Sequence, residues 1–193
     1  MNEETRRAML KTKAQEGVSC LLELLDPDPD REGLNDTPKR VVKAMIEMTR
    51  GYHEDPEKIL STQFDEKHDE VVILRDIPFS SLCEHHMLPF TGFATVGYLP
   101  GDKIVGLSKL ARLVDCFARR LQVQERMTTQ IATTLNDALS AGGVCVVIEA
   151  THACMSCRGV GKAGARMVTS CALGVFRTKP EARAEFMALA RGS

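Results

Sequence analysis

The chain has 193 residues, 44% hydrophobic and 26% charged, the balance of a globular protein with one substantial core. No apolar run approaches the roughly 18 residues that cross a bilayer, and the charged stretch Met1–Lys13 lacks the apolar centre of a signal peptide. With no tryptophan and few aromatic residues, a stacking surface for nucleic acid is not expected.

Seven cysteines, an odd number without a regular framework, fit a reducing compartment, so a cytoplasmic protein is expected. Cys20, Cys116, Cys145 and Cys171 sit among apolar neighbours and read as core. The net charge of -1 hides an asymmetry, because residues 101–179 carry 11 Lys and Arg against 5 Asp and Glu. A basic half of this kind points to an anionic ligand.

In chain order, residues 3–25 predict an amphipathic helix that Asp26-Pro27-Asp28-Pro29-Asp30 stops. A second helix starts at Thr37-Pro38, with Thr37 expected as its cap, and ends near Gly51. Residues 52–69 are polar and predict a loop with a short helix. Val71-Val72-Ile73-Leu74 opens a strand that runs to about Pro78, and the alternation over residues 92–98 predicts a second. Apolar stripes predict helices over residues 108–120 and 123–140, the first on Leu110, Leu113, Val114 and Phe117. Strands over 144–150 and 166–176 and a closing helix over 181–190 complete the order. Helices, two strands, two helices, two strands and a helix make an α+β protein.

Chemistry concentrates in Cys83-Glu84-His85-His86 and His152-Ala153-Cys154. Cys83 and His86 have the Cys-x-x-His spacing that brings two zinc ligands to one point from a turn. With Cys154 as third ligand, the site keeps a fourth position for water, as hydrolytic zinc needs. With Cys157 added, the same residues make a closed structural zinc site, and spacing leaves both arrangements open. His85 and His152 adjoin proposed ligands and suit proton transfer, for which a structural zinc has no use. His53 and His68 lie in polar loop sequence and read as surface.

Gln122-Val123-Gln124-Glu125-Arg126 heads a predicted helix, where a carboxylate can accept two parallel hydrogen bonds from guanine. A solvated helix face is the plainer reading of Glu125 and Arg126. Lys39, Arg40, Lys43, Lys109, Arg112, Arg158, Lys162 and Arg166 are candidate phosphate clamps. The glycine-rich run Arg158–Gly164 lacks the strict phosphate-loop pattern.

These motifs, with Gly106-Leu107-Ser108-Lys109-Leu110-Ala111-Arg112, Thr37-Pro38-Lys39-Arg40, Val168-Thr169-Ser170 and the run Cys154–Val160, closely resemble the signatures of the GTP cyclohydrolase I family. The resemblance runs from about residue 5 to the C-terminus. It implies the tunnelling fold (T-fold): a four-stranded antiparallel sheet with two helices between its middle strands, plus a helical N-terminal part. Residues 1–68 would form that helical region and residues 69–193 the catalytic domain. Subunits would assemble as a decamer of two pentamers, with active sites at subunit boundaries.

Carried over by residue, Cys83, His86 and Cys154 match the zinc ligands, and His85 and His152 the acid–base histidines. Gln124 and Glu125 match the guanine-reading pair. Ser108 and Lys109 match residues near the ribose and phosphates. Lys43, Arg112 and Arg158 match triphosphate contacts, with Arg40 beside them. The implied reaction takes GTP and water to formate and 7,8-dihydroneopterin triphosphate, the first step of tetrahydrofolate and pterin biosynthesis. Cys157 departs from the family pattern and keeps the closed site in view.

Overall fold

A computed structural model of the protein describes residues 1–191, and their contacts divide the chain into two units, Met1–Thr49 and Arg50 onward. In the first unit, α1 (Glu3–Leu25) starts where the Asn2 side chain accepts a hydrogen bond from Thr5 N at 2.8 Å. Glu3 and Glu4 then face the positive end of the helix dipole. It ends at Asp26, which pairs with Arg31 at 2.5 Å ahead of the two prolines. The second helix, α2 (Thr37–Met48), has Pro38 in its first turn, but Thr37 lies inside it. Asp36 holds the cap position and no side chain caps the helix. Helix α1 buries none of its residues and α2 only Val42, so Leu21, Leu24 and Leu25 remain 50%, 80% and 70% exposed.

The second unit begins with α3 (Pro56–Leu60) and β1 (Gln63–Phe64), followed by β2 (Val72–Cys83) and β3 (Pro89–Leu99). Next come β4 (Ile104–Val105), α4 (Leu107–Ala118), β5 (Leu121–Gln122) and α5 (Gln124–Leu139). The chain closes with β6 (Gly143–His152), α6 (Ala153–Ser156), β7 (Met167–Gly174), α7 (Val175–Thr178) and α8 (Pro180–Arg191). Strands β1 and β4 pair as a small ribbon. The main sheet has the order β5-β2-β3-β6-β7. Its four long strands are antiparallel, and the two-residue β5 adds a fifth, parallel to the end of β2.

Burial follows the two-residue period of the strands. On β6, Val144, Val146, Ile148 and Ala150 join the core under α4 and α5, where Leu110, Leu113, Met127, Ile131 and Leu135 are buried. Cys145, on the opposite face, packs with Phe176 and Phe186 from α7 and α8. Burial there pushes the Cys145 thiol up to about 11.

The strand lengths are also revised. Strands β2 and β3 are longer than predicted and run up to the first His/Cys cluster, which forms the turn between them. Residues 50–60 pack on α4. Gly51 N–H donates to Arg119 O at 2.9 Å, and a Cβ on Gly51 would sit 2.2 Å from Cys116 O. Only glycine allows that approach.

Strand β3 comes equally close to β6 at Gly92, where a Cβ would lie 1.9 Å from Glu149 O and 2.6 Å from Ala150 Cα. Both are backbone atoms that cannot move aside. Gly92→Ala is therefore expected to cost about 3 kcal/mol in chemical denaturation. It should also lower turnover, because Phe90 and His152 pair two positions further along the same ladder.

Candidate active site

The turn after β2 is built by its own backbone. Cys83 O accepts from His86 N at 3.3 Å and Met87 N at 2.8 Å, while Cys83 N–H donates to Leu88 O at 2.9 Å. Met87 closes the turn in the left-handed region, with φ 54, a conformation that non-glycine residues adopt at a cost. The turn brings the ligand atoms of Cys83 and His86 to the same side.

The end of β6 arrives beside it. In the β3–β6 register Phe90 faces His152 and, directly after, the chain bends into α6, which carries Cys154. The ligand atoms of Cys83, His86 and Cys154 consequently lie within 4.8 Å of one another. Cys83 is buried, Cys154 half-buried and His86 exposed. Burial raises the Cys154 thiol above its ordinary range, and the neighbouring Cys83 raises it further. Two thiolates at that separation repel by about 3 kcal/mol at an effective dielectric constant near 20. A divalent cation removes that repulsion, and two sulfurs with one imidazole nitrogen form a donor set that suits zinc.

Cys157 is not in this group. It is exposed, and its Sγ–H donates to Ala153 O at 2.7 Å. The four-ligand closed site therefore lacks its fourth residue, and the three-ligand arrangement is the one the structure forms.

His152 is held on two sides. Its ring stacks on Phe90 with centroids 4.7 Å apart and planes 2° from parallel. Its Nε2–H donates to Gln124 Oε1 at 2.8 Å. Burial pushes this imidazole below its ordinary range, and the Glu125 carboxylate opposes the shift. His85, by contrast, is largely exposed, with Nδ1 3.8 Å from Cys83 Sγ.

Glu125 projects into solvent from the first turn of α5, while Gln124 beside it is 1% exposed. The Gln124 carboxamide is wholly engaged inside the protein, so a guanine contact would have to come from Glu125. Lys109 and Arg112 line one cavity of about 510 Å³ together with Arg50, Lys58, Glu54, Asp55 and Asp115. Ser108 is exposed at the head of α4. Arg158 is exposed in the loop after α6, near enough to Cys154 to favour its thiolate. Arg40 and Lys43 belong to the first unit, where both are exposed and Arg40 pairs with Asp36 at 3.3 Å.

The structure also assigns partners to residues that had none. Glu84 is ion-paired with Arg126, whose Nε–H donates to Gln122 Oε1 at 3.1 Å. Gln122 in turn donates to Gln130 Oε1 at 2.9 Å and to Phe117 O at 3.0 Å. This chain of bonds ties the metal-ligand turn to the first turns of α5. The pairing joins positions far apart in sequence, and no local pattern marks it.

The fold and this cluster define an α+β protein with a Cys–His–Cys group able to hold a metal ion beside two imidazoles, the equipment of a hydrolase. Comparison with known proteins narrows the class. The GTP cyclohydrolase I family model matches residues 14–191. The chain is 52% identical over 180 residues to GTP cyclohydrolase 1 of Streptococcus thermophilus, covering 93% of this chain and 96% of that one. It is 55% identical over 175 residues to the Synechococcus GTP cyclohydrolase 1, covering 90% and 76%. It is 50% identical over 186 residues to that of Drosophila melanogaster, covering 96% and 57%. Among solved structures it is similar to an archaeosine synthase QueF-Like in the apo form (TM-score 0.47, 16% identity, 56% of this chain and 97% of that one), a likeness too slight to inform the fold. The chain belongs to the GTP cyclohydrolase I family.

Because Cys157 stands outside the cluster, Cys157→Ser is expected to retain both bound zinc, by elemental analysis, and turnover. Loss of one equivalent of metal would restore the closed, structural site.

Proposed function

We infer that this chain is a GTP cyclohydrolase I, converting GTP and water to formate and 7,8-dihydroneopterin triphosphate, the first step of tetrahydrofolate and pterin biosynthesis. The observation that carries the reading is the convergence of Cys83, His86 and Cys154 beside a His152 whose ring is held in place. The relatives' shared name gives the reaction.

Cys83, His86 and Cys154 would hold zinc, which when bound supplies the Lewis acidity that makes water nucleophilic near neutral pH. Glu125 accepts two hydrogen bonds from the guanine ring N–H and amino group, which fixes the base. Lys109, Arg112 and Arg158 bind the triphosphate, with Ser108 near the ribose and phosphates. Lys43 and Arg40, in the helical N-terminal region, are further candidates for triphosphate contacts on the strength of the family resemblance alone. Held at both ends, the purine has its imidazole carbon fixed for attack. His152 protonates the adjacent ring nitrogen as water adds to that carbon, and a second hydrolysis releases formate. His85, more exposed, serves the later proton transfers as the ribose opens, rearranges to a ketone and closes the pterin ring.

We assign this chemistry to residues 69–193, a sheet with two helices between β3 and β6 in the manner of the tunnelling fold. We also propose a homodecamer of two pentamers with its active sites at subunit boundaries. Two features support assembly. Helix α1 exposes Leu21, Leu24 and Leu25, and β7 ends the sheet with one side unpaired among the described residues. Both are surfaces that soluble proteins ordinarily cover. All seven cysteines are free, which supports a cytoplasmic location. No helix of the described residues is long and apolar enough to cross a membrane.

Zinc-loaded protein incubated with GTP should yield formate and, after oxidation, a fluorescent pterin. Absence of both from the metal-loaded oligomer would overturn the reading. His152→Ala should keep zinc and GTP binding while turnover falls on the order of 100-fold or more. Unchanged turnover would remove its acid–base role.

A further inference from the structure

Gln124 is a buried polar side chain at the edge of the site, and all its bonds are internal. Its Nε2 has three acceptors, Ile148 O, Met167 O and Thr169 Oγ1, each at 3.1 Å. Two of these are backbone carbonyls, which only accept, so the amide nitrogen must face them and the oxygen must face His152. Thr128 secures the arrangement. Its Oγ1 donates to Gln124 O at 2.7 Å and lies 2.7 Å from Thr169 Oγ1. The carboxamide is thus locked by β6, β7 and α5 in one orientation, with a single hydrogen-bonding atom left to present.

We propose that Gln124 is a positioning residue for His152: its Oε1 holds the imidazole in the Nε2–H tautomer and leaves Nδ1 as the nitrogen that exchanges protons with the substrate. This rests on the reading of His152 as an acid–base group. Stacking on Phe90 fixes the plane of the ring, but the stack alone is equally compatible with a 180° turn about Cβ–Cγ, which would put carbon Cε1 where Nε2 now stands. The hydrogen bond at 2.8 Å removes that freedom. A carbonyl oxygen accepts and cannot donate, so Nε2 carries hydrogen in both charge states of the ring. In the acid step the imidazolium gives its Nδ1 proton to the purine nitrogen and becomes the neutral Nε2–H imidazole. It regains that proton at Nδ1 from water, and Gln124 neither gains nor loses one. The same logic, a second group setting which imidazole nitrogen works, governs orienting carboxylates elsewhere. Here a neutral amide does it, without adding charge beside two cysteine ligands.

Glutamine read as a guanine contact and glutamine read as a positioning group predict different kinetics. Gln124→Leu keeps the volume and removes every hydrogen bond of the side chain. With zinc content retained, kcat is expected to fall on the order of 100-fold while KM for GTP stays within about threefold. A rise in KM with kcat preserved, or no change in either, would overturn the proposal. Should that variant fail to fold, the wild-type protein gives an independent answer. In zinc-loaded enzyme labelled with ¹⁵N-histidine at pH 8, the His152 signals, assigned by their loss in His152→Ala, should show a protonated Nε2 and a bare Nδ1. A protonated Nδ1 with a bare Nε2 would overturn it. If His152→Ala turns over normally, the acid–base reading itself fails. If His152→Ala is inactive and Gln124→Leu retains full kcat, only the positioning role fails.

Discussion

The antiparallel register of β2, β3 and β6 is the constraint on which the site depends. Cys83 ends β2, the turn to β3 carries His86, and β3 returns with Phe90 opposite His152. Because side chains alternate across a strand, a shift of one residue in the β3–β6 ladder would send His152 to the opposite face. Cys154, two residues on, would move with it. The core pins that register, since Val144, Val146 and Ile148 must enter the layer under α4 and α5 while Cys145 faces Phe186. Burial of ordinary aliphatic side chains thereby decides where three metal-binding atoms meet.

That placement is unfavourable by itself. Two thiols within 4.8 Å cannot both ionise comfortably, and burial works in the same direction on Cys154. The turn holding Cys83 and His86 is closed by a left-handed methionine, another local cost. The fold sustains both because β2 and β3 lie within the sheet, flanked by β5 and β6. A divalent cation would convert the thiol repulsion into attraction, so the geometry that is costly for two thiols alone is one that suits a metal ion.

Much of this was legible in the sequence, and the remainder was not, for identifiable reasons. The stripes of α4 and α5 and the alternation of β3 come from periodicities that burial imposes on neighbouring residues, so a window of sequence contains them. The Cys–His–Cys group that could hold a metal was legible because cysteine and histidine at short spacing serve few purposes. The length of β2 was obscured at Pro78, a residue that reads as the end of a strand, whereas the ladder continues through it to Cys83. The packing of residues 50–60 on α4 turns on the absence of a side chain at Gly51, and absence leaves no pattern. Glu84 with Arg126, and Gln124 with His152, are pairs far apart in sequence, and no local pattern names the partner until the fold joins them.

The head of α5 shows how two consecutive residues divide one job. Successive residues on a helix point about 100° apart, which lets Gln124 turn into the protein while Glu125 faces solvent. Glutamine suits the inward position: neutral, able to donate to carbonyls and accept from an imidazole at once. Glutamate there would set a carboxylate against Ile148 O and Met167 O, two acceptors with no hydrogen to offer. At the outward position the charge is tolerated by solvent and is available to a ligand presenting two N–H groups. The helix rotation that buries Met127, Ile131 and Leu135 also sets Gln124 against the histidine and leaves Glu125 facing solvent.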